Sequence, residues 1–100
     1  MEFEWDPNKS KTNLGKHGLL FECALSVFEG FHMTVADTRQ DYGEKRFCTM
    51  GELQGQRRVV IIAHTSRGNK IRIISMRRAN RREQKIFYDY QYKYHRGEYD

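Results

Sequence analysis

The spacing of hydrophobic residues changes several times along the chain, and each change predicts a new element. Residues Glu2–Trp5 alternate polar and apolar with period two, which is typical of a short strand. Asp6 as an N-cap and Pro7 in the first turn predict a helix that runs to about His17, with Gly18 as its C-terminal cap. A second helix is predicted next, because apolar residues recur at i, i+3, i+4 and i+7 in a stripe suited to the core: Phe21, Ala24, Leu25 and Phe28.

After residue 32 the pattern returns to period two. Short polar turns separate four predicted strands, which cover residues 33–36, 45–53, 58–65 and 70–76. Such short connections favour an antiparallel meander. The third of these strands is continuously apolar, which is typical of a central strand covered on both faces. In the second, alternation predicts Phe47 and Thr49 on one face and Arg46 and Cys48 on the other.

The last element is predicted to be a helix, since Asn80 and Glu83 have the spacing of a capping box. We expect this helix to reach about Tyr90. Beyond it the tyrosines alternate with period two, and a strand stays possible there. The outline predicts an α+β fold, in which a small antiparallel sheet, a four-stranded meander plus the short N-terminal strand, carries two N-terminal helices and one C-terminal helix. We expect one domain over residues 1–100, with the helices on one face of the sheet and the other face free for a ligand.

Charge narrows the possible partners. The formal net charge is +5, and residues 56–82 hold nine of the 18 lysines and arginines without a single acidic residue. These cations interrupt β-branched runs, so they are expected on a folded sheet rather than in a loose tail. Guanidinium groups held rigidly in this way suit phosphate. The composition therefore favours a partner that is a polyanion, such as a nucleic acid.

Other chemistry is poorly supported. Cys23 and Cys48 fall in apolar-patterned segments and are predicted to be buried, reduced thiols. Neither cysteine has the paired spacing of a zinc site, so we expect no metal and no cofactor. The N-terminal residues do not resemble a signal peptide, and no apolar run is long enough to span a membrane. We therefore expect a soluble, cytoplasmic protein.

If the polyanion is RNA, the chain could bind it or cleave it. Cleavage without a metal can use the 2′-hydroxyl of the substrate as nucleophile, with protein groups that transfer protons and stabilise charge on the phosphate. His17 and Glu44 are the candidates for proton transfer. A helix-terminal histidine that favours the helix dipole, and a glutamate that pairs with a neighbouring arginine, are the alternatives. The candidates for charge stabilisation are arginines near strand ends or on the sheet: Arg46, Arg72, Arg77 and Arg78.

Arg72 is predicted to face away from Ile71 and Ile73, either toward a phosphate or simply into solvent. Arg77 and Arg78 point to opposite sides of an extended chain, so only one of them can face the groove, and Glu83 could hold that one in place. On the first helix, Lys9, Asn13, Lys16 and His17 form one polar face, which is either solvated or offered to a ligand. The cations expected to attract RNA are Lys9, Lys16, Arg67, Lys70 and Arg81.

The C-terminal tyrosines could stack on bases. They are interleaved with Asp89, Glu98 and Asp100, which repel phosphate. Core packing or a contact between subunits is therefore the favoured use of these rings.

Four stretches together resemble the BrnT family of type II toxin–antitoxin toxins, from about Phe3 to about Tyr88. They combine charged residues and glycines in a fixed order: residues 3–6 with Lys9 and Asn13; residues 16–18 with Phe21 and Ala24; Asp37 with residues 42–44 and Arg46; and residues 67–68 with residues 72–79 and Glu83. Met76 departs from the small residue more common in the family. The tyrosine-rich end, residues 89–100, lies outside the resemblance.

The resemblance implies a RelE-like fold and a ribonuclease that cleaves RNA and arrests growth reversibly. It also implies a BrnA-like antitoxin with a ribbon-helix-helix region, which neutralises the toxin and represses the operon. Operator DNA would then be contacted only through the antitoxin. The residues alone leave two other functions open, a non-catalytic RNA- or DNA-binding protein and a module whose basic face docks an acidic protein partner.

Overall fold

The computed structural model describes residues 2–97, which form five strands, three α-helices and one 3-10 turn. The elements in chain order are β1 Glu2–Trp5, α1 Pro7–His17, the 3-10 turn Phe21–Cys23, α2 Ala24–Glu29, β2 His32–Asp37, β3 Arg46–Glu52, β4 Val59–Arg67, β5 Lys70–Arg78 and α3 Arg81–His95. No helix among these residues is long and apolar enough to cross a membrane.

The strands form one mixed sheet in the order β1-β5-β4-β3-β2. Strands β2 to β5 are an antiparallel meander, as predicted, and the apolar strand β4 is central. The prediction of a wholly antiparallel sheet is wrong, because β1 pairs parallel with β5. The segment with α1 and α2 carries the chain from β1 at one edge to β2 at the other, which allows β1 to run in the same direction as β5.

The main core lies between the sheet and the helices α1 and α2. Phe21 and Val27 are fully buried there against side chains of β4 and β5: Val60, Ile62, Ile73 and Met76. The predicted stripe of α2 is partly wrong, since Leu25 is 38% exposed. The 3-10 turn before α2 changes the helical phase, and Val27 takes the inward position instead.

The opposite face of the sheet is not free, contrary to expectation. Helix α3 covers one end of it, where Phe87 packs with Val59, Ile61 and Ala79. The helix runs beyond the predicted end near Tyr90, and the rings of Tyr90 and Tyr94 lie 5.5 and 5.1 Å from that of Phe31. These contacts fit the expected packing role of the tyrosines, while Glu98 and Asp100 lie outside the described residues.

Asn13 is buried and joins α1 to the edge of β5, rather than forming part of a solvated face. Its Oδ1 accepts a hydrogen bond from the backbone N–H of Met76 at 3.0 Å, and its Nδ2 donates to the carbonyl of Leu19 at 3.3 Å. The amide therefore satisfies a strand-edge donor at a point beyond the end of β1.

The two cysteines are free thiols, but they are not both buried as predicted. Cys48 is half-buried on the sheet. Cys23 is exposed, because the 3-10 turn directs Phe21 into the core and Cys23 outward.

Candidate active site

The strand register aligns five polar residues in a single line across the part of the sheet that α3 leaves open. Asp37 pairs with Arg46, Arg46 with Thr65, Thr65 with Arg72, and Arg72 with Glu4. Paired residues on neighbouring strands point to the same face. Arg46 and Arg72 stand two strands apart, about 10 Å between Cα atoms at the usual strand spacing. We call these five residues the charged row.

The two arginines of the charged row are each held by a glutamate. Arg46 Nε donates to Glu44 Oε2 at 3.2 Å, and its guanidinium lies 4.2 Å from the centre of the Tyr42 ring. Arg72 Nη1 lies 3.4 Å from Glu4 Oε2 on β1. The arginine side chains are 28% and 27% exposed, so each is largely covered by its neighbours and remains partly accessible to solvent. Between them the Thr65 hydroxyl donates to the Lys45 carbonyl at 2.6 Å.

Asp37 fixes the loop that leads from β2 to Arg46. Its carboxylate accepts hydrogen bonds from Arg39 Nε and Nη2, both at 2.9 Å, and from the Tyr42 hydroxyl at 3.1 Å. The hydrogen bonds from Arg39 hold the pKa of Asp37 well below its usual range. Sequence reasoning included Asp37 and Tyr42 in the family resemblance but assigned neither of them a contact. The spacing of Asp37 and Arg39 at a strand end was the one signal for an ion pair, and nothing in the sequence showed that Tyr42 joins it.

Arg77 lies on the same face as the charged row but farther along it. Arg77 pairs with Ile61, four residues from Thr65 on β4, which corresponds to about 13 Å. Glu83 holds Arg77 with two hydrogen bonds of 2.9 Å, and these lower the pKa of Glu83 to about 2. Arg78 pairs with Val60 and so points to the opposite face. The opposite directions of the two arginines, and the positioning role of Glu83, agree with the sequence prediction.

His17 lies in a different environment from these arginines. With Lys9 and Lys16 it lines a cleft of about 300 Å³ along α1, whose floor is formed by Ile74 and Ser75. Strand β5 bulges here, because Ala63 pairs with Ser75 and His64 with Ile73, which leaves Ile74 unpaired. The predicted site residues are thus divided between the sheet face and this cleft, which we call the α1 cleft. Ser75 is exposed and lies where the two meet.

The other cations predicted to attract RNA extend this surface. Arg67 and Lys70 pair across the β4–β5 turn and continue the sheet face beyond Thr65 and Arg72. Lys70 Nζ lies 3.9 Å from Glu2 Oε2. Arg81 is exposed at the start of α3.

His64 is a second histidine that sequence reasoning passed over, and it belongs to the core. Its ring lies between those of Phe28 and Phe47, at 5.3 and 5.8 Å, and its Nε2 is 2.7 Å from Thr49 Oγ1. Burial lowers the pKa of His64 to about 4. Nδ1 of His64 is buried and has no hydrogen-bond partner among residues 2–97. Since His64 faces away from the charged row, its role is structural.

Within residues 2–97, no group of three or more histidine, cysteine or acidic side chains is arranged to hold a metal ion. The sheet face with the charged row and Arg77 therefore presents fixed guanidinium groups with carboxylates beside them.

The family of the chain follows from comparison with known proteins. Residues 5–83 match the model of a family described as the ribonuclease toxin BrnT of type II toxin–antitoxin systems. The chain belongs to the BrnT family of ribonuclease toxins. The matched segment contains Arg77, Glu83 and all of the charged row except Glu4, and it ends before most of α3.

A solved BrnT structure is similar to most of the chain. The ribonuclease toxin BrnT of Brucella abortus is 30% identical, with a TM-score of 0.59, and the alignment covers 81% of this chain and 99% of that one. No curated protein sequence matches the chain. Both the predicted family and the predicted enzyme class, a ribonuclease, are confirmed for this BrnT toxin.

Proposed function

We propose that this BrnT toxin is a metal-independent endoribonuclease whose catalytic centre is the charged row. The observation that carries the proposal is the register that sets Arg46 and Arg72 on either side of Thr65. The side chain of arginine is long enough for two guanidinium groups at this separation to meet over one phosphate. Arginine stays charged at any physiological pH and forms paired hydrogen bonds to phosphate oxygens.

In the proposed reaction, the 2′-oxygen of the RNA attacks the adjacent phosphorus and the 5′-oxygen of the next nucleotide leaves. The products are a 2′,3′-cyclic phosphate and a 5′-hydroxyl. Arg46 and Arg72 stabilise the negative charge that grows on the phosphoryl oxygens. Glu44 lies next to Arg46 with its side chain 34% exposed, and it accepts the proton of the 2′-hydroxyl.

The leaving oxygen also needs a proton, which solvent water supplies, because His17, the predicted donor, lies in the α1 cleft away from the charged row. Lys9 and Lys16 bind the RNA backbone in that cleft. Arg77 contacts a phosphate at the other end of the face. Arg67, Lys70, Arg78 and Arg81 attract the RNA at longer range.

The partner that we propose is a BrnA-like ribbon-helix-helix antitoxin, because the matched family belongs to type II systems, in which the antitoxin is a protein. It neutralises the toxin by covering the charged row, and the complex represses the operon, so that operator DNA is bound only through the antitoxin. The toxin acts in the cytoplasm and arrests growth. A RelE-like fold stays a prediction.

Incubation of the purified toxin with end-labelled RNA in excess EDTA tests this function. We expect fragments that end in a 2′,3′-cyclic phosphate, and we expect an equimolar amount of the antitoxin to suppress them. Intact RNA in EDTA, with cleavage restored by a divalent cation, would contradict the metal-independent mechanism. Intact RNA under both conditions would contradict the catalytic function as a whole.

Non-catalytic binding of a nucleic acid is the second candidate function. It is favoured by the fact that Arg46, Arg72 and Arg77 are each paired with a glutamate, an arrangement that fixes cations for binding without any need for proton transfer. A binding constant that falls steeply with salt, with RNA that survives long incubation, would support this candidate.

A further inference from the structure

A cleft that the proposed reaction does not use lies between the charged row and helix α3. Its volume is about 290 Å³. The walls are two ion pairs, Arg39 with Asp37 and Arg77 with Glu83. Its floor consists of apolar side chains from three neighbouring strands: Met33, Val35, Cys48, Met50 and Ile61. We call it the apolar cleft.

The floor of the apolar cleft is suited to a flat ring. It lies on the sheet itself, and three of its five side chains carry sulfur: Met33, Cys48 and Met50. Thioether sulfur is polarisable and makes favourable contacts with aromatic rings. Val35 is 54% exposed on the edge strand β2, so the floor is open to solvent on that side.

The rim of the apolar cleft is charged in a way that suits a nucleotide. Arg39 and Arg77 are 78% and 45% exposed, and each is held by two hydrogen bonds to its carboxylate partner. Their free edges can donate to phosphate. The carboxylate of Glu83, whose side chain is 22% exposed, is an acceptor for amino groups of the kind found on the edges of bases, whereas that of Asp37 is 5% exposed and already engaged by Arg39 and Tyr42.

The apolar cleft is also continuous with the charged row. Asp37 belongs to both. Ala63 pairs with Cys48 of the floor, and Thr65 of the charged row is two residues farther along β4, about 7 Å away. A phosphate bound between Arg46 and Arg72 would therefore have its own nucleoside within reach of the floor.

From this geometry we infer that the apolar cleft binds one unstacked base of single-stranded RNA, next to the phosphate on the charged row. The inference rests on the proposed function, since it uses the same RNA path. An apolar side chain of a protein partner is the competing occupant. RNA is favoured because guanidinium groups with exposed edges stand at both ends of the cleft and along its border. Beside their carboxylate partners they can still donate to phosphate oxygens, and an apolar side chain offers no acceptor for them. Recognition of unstacked bases is the usual way in which proteins read single-stranded RNA.

An abasic scan tests the inference. The probe is a short 2′-O-methyl oligonucleotide, which has no free 2′-hydroxyl to attack its phosphate, together with copies that lack one base at each position in turn. We expect removal of one particular base to weaken binding about tenfold, which is at the low end for a base on a side-chain platform. Removal of a base elsewhere in the oligonucleotide should have little effect.

Two substitutions of the same exposed residue provide matched controls. Val35→Trp fills the apolar cleft, so removal of the base should no longer weaken binding to this variant. Val35→Ala leaves the cleft open, so removal of the base should weaken binding as it does in the wild type. If removal of the base weakens binding to Val35→Trp as much as to the wild type, the inference is overturned.

Cys48 gives an independent readout, because its thiol forms part of the floor. In a Cys23→Ser background, we expect the complete oligonucleotide to slow modification of Cys48 by methyl methanethiosulfonate at pH 8.5, and the oligonucleotide abasic at the sensitive position not to do so. If the complete and the abasic oligonucleotides bind equally well and protect the Cys48 thiol equally, while the toxin still cleaves RNA, the inference fails and the proposed function stands. If the toxin neither binds the oligonucleotides nor cleaves RNA, both fail. Protection of Cys48 by the antitoxin alone would assign the cleft to the protein partner and overturn the inference.

Discussion

Glu83 shows how one carboxylate can fix both a helix end and an arginine of the sheet face. Its Oε1 accepts from the backbone N–H of Asn80 at 2.9 Å and from Arg77 Nη1 at 2.9 Å, while Asn80 Oδ1 accepts from the Glu83 N–H in return. The first two contacts tie the start of α3 to the end of β5. The Arg77 side chain is therefore held in one orientation on the sheet face, which would lower the entropic cost of binding a phosphate.

Removal of the Glu83 side chain should loosen both attachments. We expect Glu83→Ala to lower the free energy of unfolding by about 1–2 kcal/mol, because it removes the capping box together with a partly exposed ion pair. Glu83→Gln keeps the capping acceptor and should lose only about 0.5 kcal/mol. Urea denaturation of the three proteins measures both differences, and equal losses in the two variants would show that the cap contributes nothing.

His64 should make stability depend on pH. Its pKa in the fold is about 4, below the ordinary value of 6.5, so between these values the unfolded chain binds a proton that the folded chain does not. The contribution of His64 to the free energy of unfolding should therefore be constant above about pH 7 and decrease by up to about 3 kcal/mol as the pH falls from 6.5 to 4. The lowered pKa values of Asp37 and Glu83 affect stability mainly below about pH 5, as their unfolded values are 3.8 and 4.5.

Denaturation at pH 5, 6 and 7 isolates this effect, since those carboxylates stay largely ionised there in both states. We expect His64→Gln to remove most of the slope. A slope that is the same in His64→Gln and in the wild type would contradict the assignment to His64.

Among the elements, α2 and β3 approach each other closely at a glycine. A Cβ atom at Gly51 of β3 would lie 2.7 Å from Val27 Cγ1 of α2 and 3.2 Å from the Phe31 carbonyl oxygen. Val27 is fully buried and cannot turn away. The glycine therefore sets the distance at which α2 packs on the sheet, and that packing closes the main core.

An added methyl group should have opposite effects at two glycines of the fold. Gly51→Ala forces α2 away from β3 and should cost about 1–3 kcal/mol. Gly15 lies within α1, and a methyl group there would meet nothing within 4 Å, so Gly15→Ala should instead raise stability by about 0.5–1 kcal/mol through better helix propensity. Thermal unfolding of both variants checks the pair, and stabilisation by Gly51→Ala would disprove the close packing of α2.

Local spacing predicted the elements well, because alternation and capping are properties of neighbouring residues. It also gave the face of Arg72 correctly and placed Arg77 and Arg78 on opposite faces, but it did not decide which of the two shares the face of Arg72. The bulge at Ile74, which local alternation does not show, puts Arg77 on that face. Local spacing could not predict features that depend on contacts between distant segments. The parallel pairing of β1, the cover that α3 provides and the burial of Asn13 against Met76 all join residues far apart in the chain. For the same reason, His17 was expected beside the arginines but lies in the α1 cleft.

At the scale of the whole molecule, the sheet separates the face that holds the main core from the face on which we propose that RNA binds. The face under α1 and α2 holds the main core and the buried His64. The other face carries the charged row, the apolar cleft and Arg77, closed at one end by α3. In the proposed function, the net charge of +5 attracts RNA to this surface. The ion-paired arginines would then hold the RNA on a rigid sheet, which keeps the reacting groups in position.

The measurement that tests the charged row most directly is the single-turnover rate of RNA cleavage by saturating toxin. Arg46→Ala and Arg72→Ala should each lower this rate by about 10²–10³-fold, as expected for loss of one group that stabilises transition-state charge. Arg57→Ala removes an exposed arginine from the β3–β4 turn and should leave the rate within about twofold of the wild type, since this position lies away from the charged row. If Arg46→Ala and Arg72→Ala, shown to be folded, cleave RNA as fast as Arg57→Ala, the charged row is not the catalytic centre.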